Sequence, residues 1–113
     1  MHEMALTESI VEIALEEARK QGARKVTRVS LDIGALSSVE PEALEFCFSA
    51  VANGTAAEGA KLEIERIAAA GWCLDCEKAV ALAERFGACP ECGGARVRMT
   101  AGDELRVREM EID

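Results

Sequence analysis

Aromatic residues are scarce in this chain of 113 residues: they make up 4% of it, and tyrosine is absent. Half of the residues are nevertheless hydrophobic, so a core can form, and it must consist mainly of alanine, valine, leucine and isoleucine. The sequence contains nothing close to the roughly 20 consecutive apolar residues of a transmembrane helix. Its length fits one domain with room for a small appended module.

Positive charge is also in short supply, with 13 Lys and Arg against 21 Asp and Glu and a formal net charge of −8. Phosphate backbones repel such an acidic chain, so basic protein surfaces and metal cations are better partners than nucleic acid. The first residues lack the basic region and the cleavage site of a signal peptide. We therefore expect a cytoplasmic protein without membrane contact, in which cysteines stay reduced.

Two segments have the apolar spacing of amphipathic helices. The first covers residues 5–21 and ends at Gly22, a favourable residue just past a helix. Its predicted inward stripe is Leu6, Ile10, Ile13, Ala14 and Glu17, widened by Val11, Leu15 and Ala18. The second opens at Pro41, which places Glu40 near the N-cap, and it ends at Gly54. Its predicted inward stripe is Leu44, Cys47, Phe48 and Val51. Cys47 is thus interpreted as a core residue.

Three further segments alternate with the period of β-strands. The first ends near Gly34 and is predicted to be half-buried, with Val29, Leu31 and Ile33 inward and Arg28, Ser30 and Asp32 outward. In the second, Leu62 and Ile64 point inward, whereas Glu63 and Glu65 point outward. In the last segment, Leu105 and Val107 occupy odd positions and share one face of the strand. Met110 and Ile112 occupy even positions and share the opposite face. This difference predicts a bulge or a change of exposure around Glu109.

The periodic pattern disappears between the second and third of these strands, where cysteines and glycines replace it. We interpret residues 71–99 as an inserted module held together by something other than a hydrophobic core. The last strand then returns to the first domain, which makes that domain discontinuous and places it at residues 1–70 plus 100–113.

The inserted module contains Cys73, Cys76, Cys89 and Cys92, two CxxC pairs separated by twelve residues. Two such turns facing each other form a tetrahedral cage of four sulfurs, and zinc is its expected occupant, although iron also fits this spacing. Gly93 permits positive φ after the second pair, whereas Glu77 occupies the matching position of the first and predicts a strained or different turn. Disulfides and free thiols are the alternatives.

A cage of four thiolates leaves no open position for water, which favours a structural role for this metal over a catalytic one. Many ribbons of this kind bind nucleic acid. Here the charges of residues 71–100 cancel, and Trp72 and Phe86 are interpreted as packing residues rather than as stacking platforms for bases.

His2 is the only histidine in the chain, and it lies next to the amino terminus. A histidine at a chain end is usually inert. At position two, however, the imidazole, the terminal amine of Met1 and the intervening amide nitrogen can form fused chelate rings around a square-planar ion. Such nitrogen ligands suit Ni(II) or Cu(II). Glu3 or Glu40 could add a carboxylate or orient the imidazole ring.

The sequence resembles the HypA family of nickel metallochaperones, which act in the maturation of nickel–iron hydrogenases. The resemblance rests on the start MHEM, on VSLDIGALSSVEPEALEF, on GTAAEGAKLEIE, on the paired CxxC motifs and on the final GDELRVREMEID. It implies an α+β fold with two helices packed on a three-stranded sheet and an inserted four-cysteine zinc-ribbon domain. It also implies nickel bound through His2 and the backbone nitrogens of Met1 to Glu3, with Glu40 as a further candidate.

The implied function is that of a non-enzymatic nickel carrier in which Ni(II) is transported and Zn(II) is structural. The implied partners are the GTPase HypB and the hydrogenase large-subunit precursor, and we expect a monomer or a weak homodimer. Urease maturation, which some family members serve, stays open. The main alternative is a zinc-ribbon interaction module for nucleic acid or protein, without a nickel site. An enzyme is the third reading, and the sequence contains no nucleophile elbow or phosphate loop to support it.

Overall fold

The computed structural model describes residues 3–113; Met1 and His2 lie outside the described residues. Within residues 3–113 there are two helices and six strands. In chain order they are α1 (Glu3–Lys20), β1 (Val26–Gly34), α2 (Pro41–Ala52), β2 (Lys61–Ile67), β3 (Ala70–Cys73), β4 (Lys78–Ala81), β5 (Val97–Ala101) and β6 (Leu105–Ile112).

The strands form two three-stranded sheets. The first has the order β2-β1-β6, so that β1 is central, and the second has the order β4-β3-β5. Hydrogen bonds from Asp113 to Lys25 and from Gly34 to Glu104, each with a nitrogen–oxygen distance of 2.8 Å, show that β1 and β6 run antiparallel. The predicted α+β class, with two helices on a three-stranded sheet and a cysteine-rich insertion before the last strand, is confirmed.

Helix α1 buries four residues of the predicted stripe and, in addition, Thr7. Its buried residues are Thr7, Ile10, Val11, Ala14 and Ala18. Ile13 is 53% exposed, so its predicted inward position is wrong. The polar Thr7 can occupy the buried stripe because its hydroxyl donates a hydrogen bond of 2.6 Å to the carbonyl oxygen of Glu3. In α2 the prediction holds better, since Leu44 and Phe48 are buried and Cys47 and Val51 are half-buried.

From Val29 to Gly34, strand β1 is buried on both faces, which corrects the prediction of a half-buried strand there; Thr27 is exposed and Arg28 is half-buried. Ser30 and Asp32 are 0% and 3% exposed. The cause is partly the central position of β1 and partly a cover of long charged side chains. The Arg28 guanidinium donates to the Ser30 hydroxyl at 2.8 Å and lies within ion-pair distance of carboxylates from both neighbouring strands. These carboxylates belong to Glu63, Glu109 and Glu111.

Strand β6 changes its exposed face where the sequence predicts it. Val107 and Met110 are half-buried, and the two consecutive residues between them, Arg108 and Glu109, are both exposed. In β2, Leu62 and Ile64 are half-buried and Glu65 is exposed. Glu63 is half-buried rather than outward because it pairs with Arg28 at 2.6 Å.

Strand β1 ends where two glycines meet. A Cβ atom at Gly34 would lie 2.1 Å from the backbone carbonyl of Gly102, so no larger residue fits at this end of the strand. The next two backbone amides continue the contact with other segments: Ala35 donates to Ile67 and Leu36 donates to Gly102, both at 2.8 Å.

By the density of internal contacts the chain forms two compact units. The first comprises the chain up to Leu31, Ser38–Glu65 and Arg106–Asp113; the second comprises Asp32–Ser37 and Arg66–Leu105. The second unit holds the sheet β4-β3-β5, in which β3 pairs antiparallel with both neighbours. The domain limits taken from the sequence, 1–70 plus 100–113 and 71–99, stay a prediction.

Candidate metal centre

The four sulfurs of Cys73, Cys76, Cys89 and Cys92 lie within 4.8 Å of one another. Two of the separations are 3.7 Å, between the Sγ atoms of Cys73 and Cys92, and 3.9 Å, between those of Cys76 and Cys89. A tetrahedral ion with metal–sulfur bonds of about 2.3 Å requires sulfur–sulfur edges of about 3.8 Å. The four side chains thus fit a tetrahedral thiolate site for a zinc-sized ion.

The first turn of the site begins at the end of β3. The backbone N–H of Cys76 points at the Sγ of Cys73 at 3.4 Å, and the Glu77 N–H donates to the Cys73 carbonyl at 2.8 Å. Glu77 adopts a φ of 53°, in the left-handed region that normally favours glycine. Of the two predicted alternatives, a strained or a different turn, this φ corresponds to the strained one, at a cost on the order of 1 kcal/mol.

The second turn repeats the first with better suited residues. The N–H groups of Glu91 and Cys92 point at the Sγ of Cys89 at 3.4 and 3.5 Å, and the Gly94 N–H points at the Sγ of Cys92 at 3.4 Å. Gly93 has a φ of 73° and donates to the Cys89 carbonyl at 2.8 Å, as Glu77 does in the first turn. These N–H groups favour the ionised form of the sulfurs, which is the form that binds metal.

Two ion pairs join the turns on the outside of the site. The Lys78 ammonium lies 2.6 Å from the Glu91 carboxylate, and the Arg96 guanidinium lies 3.1 Å from that of Asp75. Each pair links a residue of the first turn or its flank with one of the second. All four side chains are partly exposed, so each pair contributes little alone, but together they oppose separation of the turns. These pairs were not predicted from the sequence, although charged residues of opposite sign around the two CxxC motifs were a signal for them.

The thiols differ in how readily they ionise. Backbone N–H groups, first that of Cys92 and then that of Glu91, lower the pKa of the Cys89 thiol to about 7 against the opposing effect of burial. The pKa of the Cys76 thiol rises to about 12, chiefly because of its contacts with the sulfurs of Cys92 and Cys73. Thiolates this close repel one another, so all four ionise together only with a cation in their midst.

The core around the sulfurs is small. Cys73, Val80 and Cys89 are buried, and Cys76 and Val97 pack against them half-buried. Two of the three buried residues are therefore themselves predicted metal ligands. A core of this size offsets little of the entropy of ordering the surrounding loops, and modules this small usually need a metal ion or disulfides for stability. Cys47 on α2 is half-buried, is not a member of the cluster and has no disulfide partner.

At the start of α1 the structure brings together the two acidic residues that the sequence singled out. The Glu3 carboxylate accepts a hydrogen bond from the backbone N–H of Glu40 at 3.3 Å. Glu40 is the N-cap of α2, as predicted, and its own side chain makes no capping hydrogen bond. The contact of Glu3 with the backbone of residue 40 was not predicted from the sequence. The predicted nickel ligands Met1 and His2 lie outside the described residues.

None of the helices within residues 3–113 is long and apolar enough to span a membrane.

Comparison with known proteins gives concordant results for sequence and structure. A family model described as HypA, hydrogenase/urease nickel incorporation, metallochaperone, matches residues 1–112. The hydrogenase maturation factor HypA of Rhizobium leguminosarum bv. viciae is 62% identical over 112 residues, which is 99% of each chain. That of Rhodopseudomonas palustris strain BisB5 is 56% identical over the full length of both chains.

Two solved structures resemble the chain over nearly all of its length. A solution structure of a HypA protein has a TM-score of 0.76 at 27% identity and covers 100% of this chain and 97% of its own. The solution structure of the Ni metallochaperone HypA from Helicobacter pylori has a TM-score of 0.71 at 26% identity, covering 99% and 97%. With a family match over residues 1–112 and relatives at this level of identity, the chain belongs to the HypA family of metallochaperones for nickel incorporation in hydrogenase maturation.

Proposed function

We propose that the protein is a nickel carrier that binds Ni(II) at its amino terminus and carries a separate structural zinc ion. The nickel ligands are the His2 imidazole, the Met1 amine and the backbone nitrogens that join Met1, His2 and Glu3. A five-membered and a six-membered chelate ring then share one ion, which is the square-planar arrangement that Ni(II) favours. Glu40 is a further candidate ligand.

One observation carries this proposal: the hydrogen bond between the Glu3 carboxylate and the Glu40 N–H at the start of α2. Through this contact Glu3, the third residue of the proposed nickel motif, lies beside Glu40, the further candidate ligand. It lies at the positive end of a helix, where a carboxylate is stabilised. Glu3 therefore has a structural partner of its own. In this position it supports the residues before it by orienting the chain.

Zinc is proposed for the four-cysteine site because the ligand set is four sulfurs in tetrahedral array. A bound zinc ion supplies the folding free energy of the module. The chain's own contribution is the set of backbone N–H groups around the sulfurs and the two ion pairs that bridge the turns. With its coordination sphere closed by four thiolates, the site serves structure rather than chemistry.

The remaining elements of the proposal follow from family membership and from composition. The carrier acts without catalysis, in the cytoplasm, with HypB and the hydrogenase large-subunit precursor as partners, as a monomer or weak homodimer. Nickel is released more easily in acid, because protons compete for the imidazole and the amine. Domain limits of 1–70 plus 100–113 and 71–99 assign the nickel site and the zinc site to separate domains.

The test is a calorimetric titration of untagged protein with Ni(II), together with metal analysis before and after. We expect one zinc resistant to dialysis and one nickel bound tightly. His2→Ala, or one residue added before Met1, removes the tight nickel binding, because either change destroys the chelate rings. The zinc content and the circular dichroism spectrum stay the same in both variants.

Unchanged nickel affinity in both variants contradicts the assignment of nickel to the amino terminus. Loss of zinc together with nickel contradicts the separation of the two sites. A matched control is Glu12→Ala, a substitution at an exposed residue in the middle of α1, which leaves both metals bound.

A further inference from the structure

Phe86 has an unusual conformation for a bulky residue. It is the third residue of a turn closed by a hydrogen bond of 3.1 Å from the Gly87 N–H to the Glu84 carbonyl. Its φ is 62°, in the region where glycine and asparagine are favoured and a phenylalanine is strained. Its side chain is 94% exposed, so no packing within the described chain offsets the strain. The phenylalanine that the sequence analysis interpreted as a packing residue is therefore not one.

The exposed ring borders a cleft of about 350 Å³ within the second compact unit. We call it the Phe86 cleft; its lining residues include Leu82, Arg85, Phe86, Val97, Arg98 and Met99. Two of its apolar lining residues, Leu82 and Val97, pack against a glycine of β3, and we call this pair the floor of the cleft. A Cβ atom at Gly71 would lie 2.7 Å from Val97 Cγ1 and 3.0 Å from Leu82 Cδ1. Val97 also packs against the buried cysteines, so the floor is continuous with the core of the metal site.

Two arginines give the rim of the Phe86 cleft a positive charge in a chain whose net charge is −8. Arg85 has one ion pair, a loose one of 3.7 Å to the exposed Asp103. Arg98 is exposed and forms no ion pair with any residue from 3 to 113. An arginine such as Arg98, which has no ion-pair partner among the described residues, beside an apolar cleft is complementary to a carboxylate next to an apolar side chain.

A strained, exposed aromatic residue beside an apolar cleft with a cationic rim is typical of a protein-binding surface. Aromatic and arginine side chains dominate the binding energy of protein interfaces, and backbone strain concentrates at functional positions. Nucleic acid is the poorer fit, because the acidic residues of the chain outnumber the basic ones by 21 to 13. The occupant favoured by these features is an acidic protein segment with an apolar anchor.

From this arrangement we infer that the Phe86 cleft is a docking site for an acidic segment of a partner protein. The segment inserts one large apolar side chain between Phe86 and the floor of the cleft, and its carboxylates pair with Arg85 and Arg98.

The probe is a heptapeptide with one phenylalanine flanked by three acidic residues on each side. It is titrated into the zinc-loaded full-length protein labelled with ¹⁵N. We expect saturable shifts of the backbone amides of Leu82, Arg85–Gly87 and Val97–Met99. A peptide with serine in place of phenylalanine, and one with lysines in place of the acids, each bind about tenfold more weakly or worse.

The variants separate binding from folding. Phe86→Asn retains the left-handed turn and removes the ring. We expect it to lower the affinity for the acidic peptide about tenfold without lowering the melting temperature of the protein. Arg98→Glu also lowers the affinity for the acidic peptide, because it replaces a positive charge at the cleft with a negative one. Phe46→Ala, a change at another exposed phenylalanine (76% exposed, on α2), leaves the affinity unchanged.

Three outcomes overturn the inference. One is the absence of saturable shifts at the cleft. Another is equal binding of the acidic and the lysine peptide. The third is tighter binding of a twelve-residue oligothymidine than of the acidic peptide, with the same amides shifted, which assigns the surface to nucleic acid instead.

Discussion

The carboxylate of Glu3, the first residue of α1 as the structure describes it, accepts a hydrogen bond of 3.3 Å from the backbone N–H of Glu40. Glu40 begins α2 but does not cap it with its own side chain. One helix therefore supplies a carboxylate to the amino terminus of the next, and the starts of α1 and α2 are joined. Because the donor is a backbone group, the contact depends on the side chain at position 3 and not on the one at position 40.

This asymmetry gives the first prediction. Glu3→Ala removes a carboxylate from the start of α2 and is expected to cost about 0.5–1 kcal/mol of unfolding free energy. Glu40→Ala leaves the hydrogen bond in place and costs less. Urea denaturation followed by circular dichroism measures both. Glu3→Gln retains an acceptor oxygen but no charge, so its loss of unfolding free energy is expected to lie between those of Glu3→Ala and Glu40→Ala. A larger loss for Glu40→Ala than for Glu3→Ala contradicts the asymmetry.

The cysteines give a second prediction. Cys73→Ser leaves three thiolates in a core of which Cys73 itself is a buried member. We expect this variant to lose bound zinc and the dispersed amide resonances of β3, β4 and β5, because under the proposed function a zinc ion at this site supplies most of the stability of the sheet. Cys47→Ser is the matched control, since Cys47 lies outside the cluster. Metal analysis and a ¹⁵N correlation spectrum check both variants; zinc retained by Cys73→Ser argues against the four-thiolate site.

The two equivalent turns of the site give a third prediction. Glu77 and Gly93 both have positive φ, 53° and 73°, and both donate to the carbonyl of the first cysteine of their turn. Glu77→Gly relieves strain and is expected to raise the unfolding free energy by about 1 kcal/mol. Gly93→Ala is expected to lower it by a similar amount.

A Cβ atom at Gly93 meets nothing within 4 Å, so the effect of Gly93→Ala comes from the backbone alone. Thermal unfolding of the zinc-loaded protein measures both variants, and chelator competition shows whether zinc affinity changes in the same direction. Glu84→Gly, at an exposed position without positive φ, serves as the control for a general effect of glycine. If Glu77→Gly destabilises the protein as that control does, the left-handed turn is not a source of strain.

Several features could be predicted from the sequence because they depend on local spacing. The two helices, the long strands and the cysteine cage follow from periodicity and from the CxxC motifs. The change of exposed face around Glu109 was visible as a change of parity in the strand, and β6 shows it. The left-handed backbone of Glu77 was visible as a missing glycine in the first turn.

Other features depend on residues distant in the chain. Ser30 and Asp32 looked outward by alternation, but β1 is central and its polar face is covered by Arg28 and the acidic residues of β2 and β6. Ile13 was predicted to be buried because it is apolar. The buried stripe instead passes through Thr7, whose hydroxyl donates a hydrogen bond to a backbone carbonyl of the same helix. No periodicity could have predicted the contact of Glu3 with a backbone amide 37 residues away.

The Arg28 cluster gives the last prediction, a dependence of stability on pH. Hydrogen bonding to the Arg28 guanidinium, with its positive charge in addition, lowers the pKa of the Glu111 carboxyl below its ordinary value. Since the folded-state pKa is lowered, the stabilisation is present above the unfolded-state pKa of about 4.3. It is lost as the pH falls through the folded-state pKa.

Glu111→Gln is therefore expected to lower stability at neutral pH and to have a smaller effect at an acidic pH below the folded-state pKa, where the carboxyl of the wild type is protonated as well. Urea unfolding at a series of pH values measures this difference. Arg28→Met removes the partner of three carboxylates at once, and its loss of stability at neutral pH exceeds that of Glu111→Gln. Glu12→Gln, at an exposed position on α1, is the control and shows no such difference between the two pH values. An equal effect of Glu111→Gln at both pH values means that the charge of Glu111 contributes nothing to the cover over β1.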